Sequence, residues 1–214
     1  MLAPHRHPAY LSAMGLLLAI DTAAPRLQLG LLHDDDRVET LSEDMATGQA
    51  ERLFPALAEL LARAGAAYAD LTRIATTTGP GSFTGLRIGL SAARGLGLAL
   101  DIPVLGIPSL LALSLQTRCD AIAVLLDARR DEAYVQTFSG PGIAIREPAL
   151  LPTDEARKLV PHGAQTITSP FVDIAAMARF AATADPSLYP PEATYIRGAD
   201  AKPQEKFRIA RVPA

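Results

Sequence analysis

A chain of 214 residues fits one large domain or two small ones, and its 49% hydrophobic and 20% charged residues describe a protein with a folded core. A formal net charge of -3, with no Lys/Arg run longer than two residues, argues against a dedicated nucleic-acid binder, which usually carries a basic face. Cys119 is the single cysteine, which excludes an internal disulfide, and no apolar run approaches the ~18 residues of a membrane span. We therefore expect a cytoplasmic protein that does not contact a membrane.

The N-terminal residues superficially resemble a signal peptide, because an irregular stretch with two prolines precedes an apolar run that begins at Met14. The run is short, however, and ends at Asp21 in what the pattern predicts to be a central strand. We expect residues 1–13 to be a disordered, dispensable leader and Met14 to be the natural start.

The chain after the leader predicts an antiparallel meander. A continuous apolar run at 16–20 is typical of a buried strand, and Asp21-Thr22 ends it. Alternating leucines predict a second strand at 27–32, and a third follows at 37–42. An aspartate at a strand end is often only a cap or turn former, but it can also hold a metal-bound water or face a phosphate in a cleft.

A glycine-rich loop at 79–87 (GPGSFTGLR) lies between a predicted strand at 74–78 and a predicted helix at 86–100. This order of elements can bring backbone N–H groups and a helix N-terminus close to an anion. The loop lacks the Lys of the standard phosphate loop, and three residues between Gly81 and Gly85 break the dinucleotide-binding spacing. A tight turn that joins a strand to a helix is the alternative interpretation.

Two helices of the first half carry an excess of apolar residues. The helix predicted at 50–64 has one apolar stripe, with Gly65 as a plausible C-cap. The helix at 86–100 is apolar nearly all round, and Arg87 and Arg94 are its charged residues. A helix that is apolar on two sides has to be buried on two sides, so one side needs another helix or another chain.

The second half repeats the opening pattern weakly. An apolar strand ends at Asp127, a polar turn follows, and a second strand can pair back, so Asp21 and Asp127 are equivalent points of a faint internal duplication. Strands mixed with crossover helices indicate an α/β fold. We predict an N-terminal lobe at 14–117, a smaller C-terminal lobe at 118–199 and a mobile tail at 200–214. The remaining predicted elements are strands at 103–107, 121–126 and 132–138 and helices at 109–115, 153–160 and 171–183.

Four stretches together resemble the bacterial TsaB (YeaZ-type) family of the glycoprotease-like superfamily, and the resemblance covers residues 15–200. Each stretch alone is a weak signal, and the combination is specific. The resemblance implies the two-lobed α/β fold that actin, sugar kinases and heat-shock chaperone ATPases share, with a reduced second lobe. The stretches are Leu18–Thr22, Gly79–Gly89, Asp127–Tyr134 and Tyr195–Arg197.

The same resemblance implies a non-catalytic scaffold in the synthesis of threonylcarbamoyladenosine (t6A) in tRNA. Such a subunit binds and activates TsaD, the catalytic relative that transfers threonylcarbamoyl to the adenosine next to the anticodon. The implied partners are TsaD in a heterodimer, TsaE in a larger complex, tRNA only through the complex, and a second copy when the chain is alone. The resemblance implies no required cofactor, with weak ATP or ADP binding at the complex interface.

The resemblance also bears on metal binding and on the first helix. TsaD carries a metal site, H-x-x-x-H, after the strand equivalent to 103–107, and Ser109 and Leu113 stand where those histidines would be. Leucine cannot bind a metal, and serine is a poor ligand beside imidazole, so we expect neither a metal site nor catalytic residues. Family members often have His where this chain has Gln49.

Two sets of candidate site residues follow from the resemblance. The first set, called the partner set, lies on the two helices at 50–64 and 86–100, which would form half of a four-helix bundle completed by the partner. Five of its residues are expected to be left exposed by the lobe itself: Leu57, Leu61, Ile88, Ala92 and Gly95. The cleft set, which would face a weakly bound nucleotide, is Asp21, Thr22, Gly79, Pro80, Gly81, Ser82, Thr84, Gly85, Asp127 and Arg129. The partner set is Leu53, Leu57, Leu61, Arg87, Ile88, Ser91, Ala92, Gly95 and Ala99.

Two enzyme classes are the competing interpretations. A phosphotransferase or ATPase of the same fold would use Asp21 and Asp127 with Mg²⁺-nucleotide. The sequence shows neither a further catalytic base nor a phosphate-binding Lys for such an enzyme. A protease would need a Ser/His/Asp set or a metal triad, and neither can be assembled from this sequence.

Overall fold

The computed structural model describes residues 15–194 and residue 196. The predicted leader, Met14 and the predicted tail at 200–214 lie outside these residues, and so do Tyr195 and Arg197 of the family resemblance. The described part forms two mixed β-sheets with helices packed against them, which confirms the predicted two-lobed α/β fold. In this part of the chain no helix is long and apolar enough to cross a membrane.

The first sheet has five strands in the order β3-β2-β1-β4-β5. The predicted meander is confirmed, since β1 pairs antiparallel with β2 and β2 with β3, while β4 and β5 add parallel strands. Central strand β1 is buried along its whole length, which explains its unbroken apolar run. The strands are β1 Leu16–Asp21, β2 Arg26–Leu32, β3 Val38–Asp44, β4 Leu71–Thr77 and β5 Val104–Ile107.

Helices α1 (Gln49–Ala64) and α2 (Phe83–Leu100) cover one face of this sheet. Leu18 and Ile20 of β1 point into the core beneath them, whereas Leu17 and Ala19 point to the opposite face. Gly65 ends α1 with φ 66°, as predicted for a C-cap. Helix α2 begins three residues earlier than predicted because the Ser82 hydroxyl caps it, accepting a 3.2 Å hydrogen bond from the Gly85 N–H.

The second sheet has four strands in the order β8-β7-β6-β9, so the second lobe is the smaller one. The connections of β6, β7, β8 and β9 repeat those of β1, β2, β3 and β4, which supports the predicted duplication. Strands β8 and β9 were not predicted. The elements are α3 Ser109–Ser114, β6 Ile122–Arg129, β7 Glu132–Phe138, β8 Ala149–Pro152, α4 Thr153–Lys158, β9 Gln165–Ile167 and α5 Ile174–Thr183.

The two lobes exchange helices. Helix α3 follows the first sheet in the chain but contacts β6 and β7, whereas α5 follows the second sheet and packs on β1 and β2. Arg179 of α5 donates a 2.9 Å hydrogen bond to the Asp36 carboxylate of the first lobe. The chain after α5 then returns to the first sheet, where the Gly106 N–H donates to the Tyr189 carbonyl at 2.9 Å. The C-terminal segment, placed by sequence in the second lobe, thus contributes a layer to the first.

Candidate functional site

A cleft of about 450 Å³ lies between the two sheets. One wall is the turn between β1 and β2, residues 23–25, together with residues 80–82 of the glycine loop. The opposite wall is residues 127–129 at the end of β6, and Ser109 and Leu113 of α3 also line the space. The cleft therefore combines four hydroxyls (Ser82, Ser109, Tyr134 and Thr168), one carboxylate and one guanidinium with apolar side chains.

The structure brings five of the ten predicted cleft residues to this cavity. Pro80, Gly81, Ser82, Asp127 and Arg129 line it. The other five do not: four are buried beneath the cleft wall, and one lies in the groove between α1 and α2 described below. None of these five faces the cleft as predicted. Hydrogen bonding and close packing hold the strand end and the glycine loop against each other and bury four of them, whereas the fifth lies on the first turn of α2 and is exposed in the groove. They are Asp21, Thr22, Gly79 and Gly85, which are buried, and Thr84, which lines the groove.

The Asp21 carboxylate is fully buried and accepts hydrogen bonds from three donors. The Thr77 hydroxyl donates at 2.7 Å, the Ala23 N–H at 3.1 Å and Gln28 Nε2 at 3.4 Å. Burial raises the pKa of Asp21, and these hydrogen bonds act in the opposite direction. Asp127 keeps the corresponding bond, since its carboxylate accepts from the Arg129 N–H at 2.7 Å, but its side chain is exposed. The two equivalent aspartates therefore have different environments.

Three backbone N–H groups of the glycine loop are used within the chain. The Gly79 N–H donates to Ser109 Oγ at 3.1 Å, and the Ser82 N–H donates to the Ala23 carbonyl at 2.7 Å. The Gly85 N–H donates to the Ser82 hydroxyl, as described above. These three groups are not free to bind a phosphate, and their bonds to Ser109, Ala23 and Ser82 are those expected of a tight turn between a strand and a helix.

The glycines at 81 and 85 are required by close backbone approach. A Cβ on Gly81 would lie 2.7 Å from the Ala23 carbonyl oxygen, and one on Gly85 would lie 1.9 Å from the Thr22 carbonyl oxygen. In both cases the obstacle is backbone, which cannot move aside as a flexible side chain can. The loop is thus built to press against the turn after β1.

The position expected for a metal site is occupied by cleft residues of other chemistry. Ser109 Oγ accepts a hydrogen bond from the Gly79 N–H, and the apolar side chain of Leu113 lines the cavity. Among residues 15–194 and residue 196, no group of three or more His, Cys, Asp or Glu side chains is arranged to hold a metal ion.

A second concave surface, which we call the α1–α2 groove, has a volume of about 750 Å³. Phe54 of α1 and Phe83 of α2 border it with 47% and 54% of their surfaces exposed. The Arg87 guanidinium lies over the Phe83 ring, 3.8 Å from its centroid. The lining residues are Ala50, Leu53, Phe54, Phe83, Thr84, Arg87, Ile88, Ser91, Ala92, Gly95 and Leu96.

The groove contains part of the predicted partner set. Leu53, Arg87, Ile88, Ser91, Ala92 and Gly95 line it, and Ala99 is exposed further along α2. The expectation that Leu57, Leu61 and Ala92 lack cover is wrong, because these three side chains are at most 8% exposed and belong to the core beneath the helices. Phe54 and Phe83 were not in the predicted partner set, although aromatic side chains beside a stripe of small residues were visible in the sequence.

Comparisons with known proteins identify the relatives. Residues 43–153, just over half of the chain, match the family model described as "TsaD: tRNA N6-adenosine threonylcarbamoyltransferase". An uncharacterized protein of Mycobacterium tuberculosis is 45% identical over 121 residues, which are 55% of this chain and 56% of that protein. The tRNA threonylcarbamoyladenosine biosynthesis protein TsaB of Bacillus subtilis is 36% identical over 124 residues, 57% of this chain and 54% of the relative.

These sequence matches span about half the length of the curated relatives, whereas the structural match is longer. The solved structure of YeaZ from Pseudomonas aeruginosa superposes with a TM-score of 0.70 at 26% identity and covers 85% of this chain and 100% of that one. Fold, family model and relatives agree with the resemblance found in the sequence. The chain belongs to the family of the TsaD model and, within it, to the TsaB (YeaZ) type.

Proposed function

We propose that this chain is a non-catalytic subunit in tRNA threonylcarbamoyladenosine biosynthesis, which binds a TsaD-like partner through the α1–α2 groove and activates it. The observation that carries the proposal is the groove itself. It lies between two helices whose other faces are already buried on the sheet, and two half-exposed phenylalanines border it. A concave apolar surface with aromatic anchors is the kind of site that a partner helix fills.

The geometry of α2 agrees with a partner on its outer side. Gly89 and Gly97 face the lobe's own core, where an added Cβ would lie 2.6 Å from Thr22 Oγ1 and 2.2 Å from a methyl group of Val104. Gly95 faces the groove, and a Cβ there would meet no atom within 4 Å. One set of small residues thus brings α2 close to its sheet, and Gly95 leaves room on the open side.

The cleft supports the non-catalytic half of the proposal. The strand-end carboxylate that an ATPase of this fold would use, Asp21, is fully buried beneath the cleft wall and already accepts three hydrogen bonds. Three loop N–H groups, those of Gly79, Ser82 and Gly85, form hydrogen bonds within the chain. The proposed setting is therefore a cytoplasmic complex in which the partner carries the chemistry and tRNA is contacted only through the complex.

Three finer elements belong to the same proposal. TsaE joins the complex of this chain with the TsaD-like protein, and ATP or ADP binds weakly at the complex interface. In the absence of the partner, a second copy of this chain covers the groove. The two assembly elements are open to measurement by gel filtration with light scattering, with and without the other components, and nucleotide binding by equilibrium dialysis against the assembled complex.

The experiment that tests the proposal places a charge in the groove. Ser91 is exposed in the groove and tolerates a larger side chain, so Ser91→Glu should fold normally and strand a carboxylate against the partner helix. We expect at least about 2 kcal/mol of lost binding, roughly 30-fold in Kd, measured by calorimetry with a TsaD homologue. Ala92 is avoided as a test position because it is 8% exposed and already buried in the lobe.

Ser139→Glu is the matched control, because Ser139 is an exposed serine at the end of β7 in the second lobe. It should leave both the Kd and t6A formation by the reconstituted complex unchanged. Wild-type affinity for Ser91→Glu, or equal losses in both variants, would place the interface elsewhere. Turnover of ATP or a peptide by this chain alone would refute the non-catalytic assignment.

A further inference from the structure

The turn between β1 and β2 is held from one side by α1. Gln49, the first residue of α1, is 6% exposed. Its Nε2 donates to the carbonyl oxygens of Ala24 and Arg26, both at 3.0 Å. The two amide hydrogens of this side chain are thus both used on carbonyls of one turn, which is a complete match of donors to acceptors.

The same turn is held from the other side by the start of α2. The Thr22 hydroxyl donates to the Gly85 carbonyl at 2.7 Å. The Ala23 carbonyl accepts from the Ser82 N–H, also at 2.7 Å. Because Gly81 and Gly85 approach this backbone too closely for a Cβ, the start of α2 and the turn can move only together.

Each of the three segments has a second face. Ala50 and Leu53 of α1 and Phe83 and Thr84 of α2 line the α1–α2 groove, within a few residues of the bonds just described. The turn itself, residues 23–25, is a wall of the cleft. A short hydrogen-bonded bridge therefore joins the two concave surfaces of the molecule.

We propose that Gln49 is a positioning residue that couples the α1–α2 groove to the cleft. A partner that binds in the groove fixes the distance between the starts of α1 and α2. Because the turn is hydrogen-bonded to both helix starts, its position in the cleft wall changes with this distance. The identity of the groove's occupant, a TsaD-like protein, rests on the proposed function. Coupling is reciprocal, so whatever narrows or widens the cleft changes the affinity of the groove for its partner by the same factor.

The first test needs no partner and uses hydrogen exchange of backbone amides in the full chain. Gln49→Met keeps the side-chain length and removes both donors. The Arg26 N–H donates to the Ala24 carbonyl within the turn, and the Ser82 N–H donates to the Ala23 carbonyl of the turn. In Gln49→Met we expect both of these amides to exchange at least about tenfold faster than in the wild type. Gln136→Met is the matched control, since Gln136 is 7% exposed and its Nε2 donates once, to the Arg146 carbonyl in the second lobe.

Faster exchange at Arg26 without faster exchange at Ser82 would overturn the coupling. An equal increase in exchange at these amides in Gln49→Met and Gln136→Met would overturn it as well. If Gln49→Met does not fold, Gln49→His replaces it, because a ring N–H can donate one of the two bonds. An intermediate increase at both Arg26 and Ser82 is then expected, and no increase at Ser82 would refute the link.

The second test adds a TsaD homologue. In the wild type, the partner should slow amide exchange in the groove helices and also at Ala23, Ala24 and Arg26, which lie outside the groove. In Gln49→Met, the helices should keep their protection and the turn should lose it. If the partner slows amide exchange in the groove helices of the wild type but not in the turn, the coupling is wrong and the proposed function stands. Unprotected helices would overturn the proposed function, and the partner-free measurement would still decide the coupling.

Discussion

The Thr22 hydroxyl donates a 2.7 Å hydrogen bond to the Gly85 carbonyl, at a contact where a Cβ on residue 85 would lie 1.9 Å from the Thr22 carbonyl oxygen. Both observations show that the backbone after β1 and the backbone at the start of α2 are in direct contact. This contact explains why a glycine is required at position 85 of the loop.

Gly85→Ala should therefore destabilise the fold strongly. Backbone has to move on both sides of the contact, and we expect a loss of about 3 kcal/mol or more in the free energy of unfolding, measured by urea denaturation. Gly95→Ala is the matched control on the same helix. Its Cβ would meet no atom within 4 Å, so helix propensity should make this variant more stable by ~0.5–1 kcal/mol. Similar values for the two variants would contradict the packing argument.

Asp21 should make the stability of the protein fall as pH rises. Burial raises the pKa of this carboxyl in the folded chain. The folded state then keeps a proton over a pH range in which the unfolded chain, with an aspartate pKa of about 3.9, has lost it. The free energy of unfolding of the wild type relative to Asp21→Asn should be highest below that value and decrease as pH rises through the folded pKa. A relative increase over this range would show that the carboxylate is favoured by its surroundings.

The ion-pair network on α1 should have the opposite pH dependence. Arg52 donates to Glu43 at 2.6 and 2.8 Å and to Glu59 at 2.7 and 2.8 Å, and hydrogen bonding to Arg52 lowers the pKa of both carboxyls. Its stabilising contribution is present at neutral pH and is lost as pH falls through the folded pKa values. The difference in unfolding free energy between wild type and Arg52→Met should shrink between pH 7 and pH 3. A constant difference would mean that Arg52 acts through packing alone.

Phe54 should contribute to partner binding and little to folding. Its side chain is 47% exposed at the border of the groove, so Phe54→Ser should change the free energy of unfolding by less than about 1 kcal/mol. The affinity for a TsaD homologue should fall at least about tenfold, because aromatic anchors dominate interfaces. Ile143→Ser is the control, an apolar residue 60% exposed in the second lobe, and it should leave the affinity unchanged. Equal effects of the two substitutions would argue against the groove.

A tightly bound transition metal is not expected. Ser109 and Leu113 occupy the place of metal ligands in the resemblance, and a hydroxyl and an isobutyl group do not replace imidazoles. Elemental analysis of the purified protein should find no stoichiometric metal, and EDTA should leave the melting temperature unchanged. A stoichiometric metal that EDTA removes with loss of stability would refute this expectation.

Sequence patterns predicted the elements that have long apolar signals. Strand β1 was recognisable because all six of its positions are buried, and helices α1 and α2 because buried residues recur at helical spacing along 16 and 18 residues. Strands β8 and β9 were missed, since they have four and three residues and are partly exposed, so no apolar run marks them. Short edge strands are defined by their neighbours in the sheet, and neighbours are not visible in a local pattern.

The candidate site was predicted less completely for a related reason. The strand-end position of Asp21 was correct, but its burial depends on Thr77 and Gln28, which come from other strands. Gln49 was noticed only as a departure from the resembled family. Its two bonds to the turn after β1 span 23 and 25 positions of sequence, so its positioning role emerges only from the fold.

The exchange of helices between the lobes has a consequence for synthesis on the ribosome. The lower face of the first sheet is covered by α5, and Arg179 meets Asp36 across 143 positions of sequence. A nascent chain that has completed all five strands of that sheet still exposes Leu17 and Ala19 until residues 174–183 have left the exit tunnel. The N-terminal half therefore cannot complete its fold during translation as an independent domain would. A chaperone that shields apolar strands should associate with this protein's nascent chain after β5 has emerged and dissociate when α5 docks.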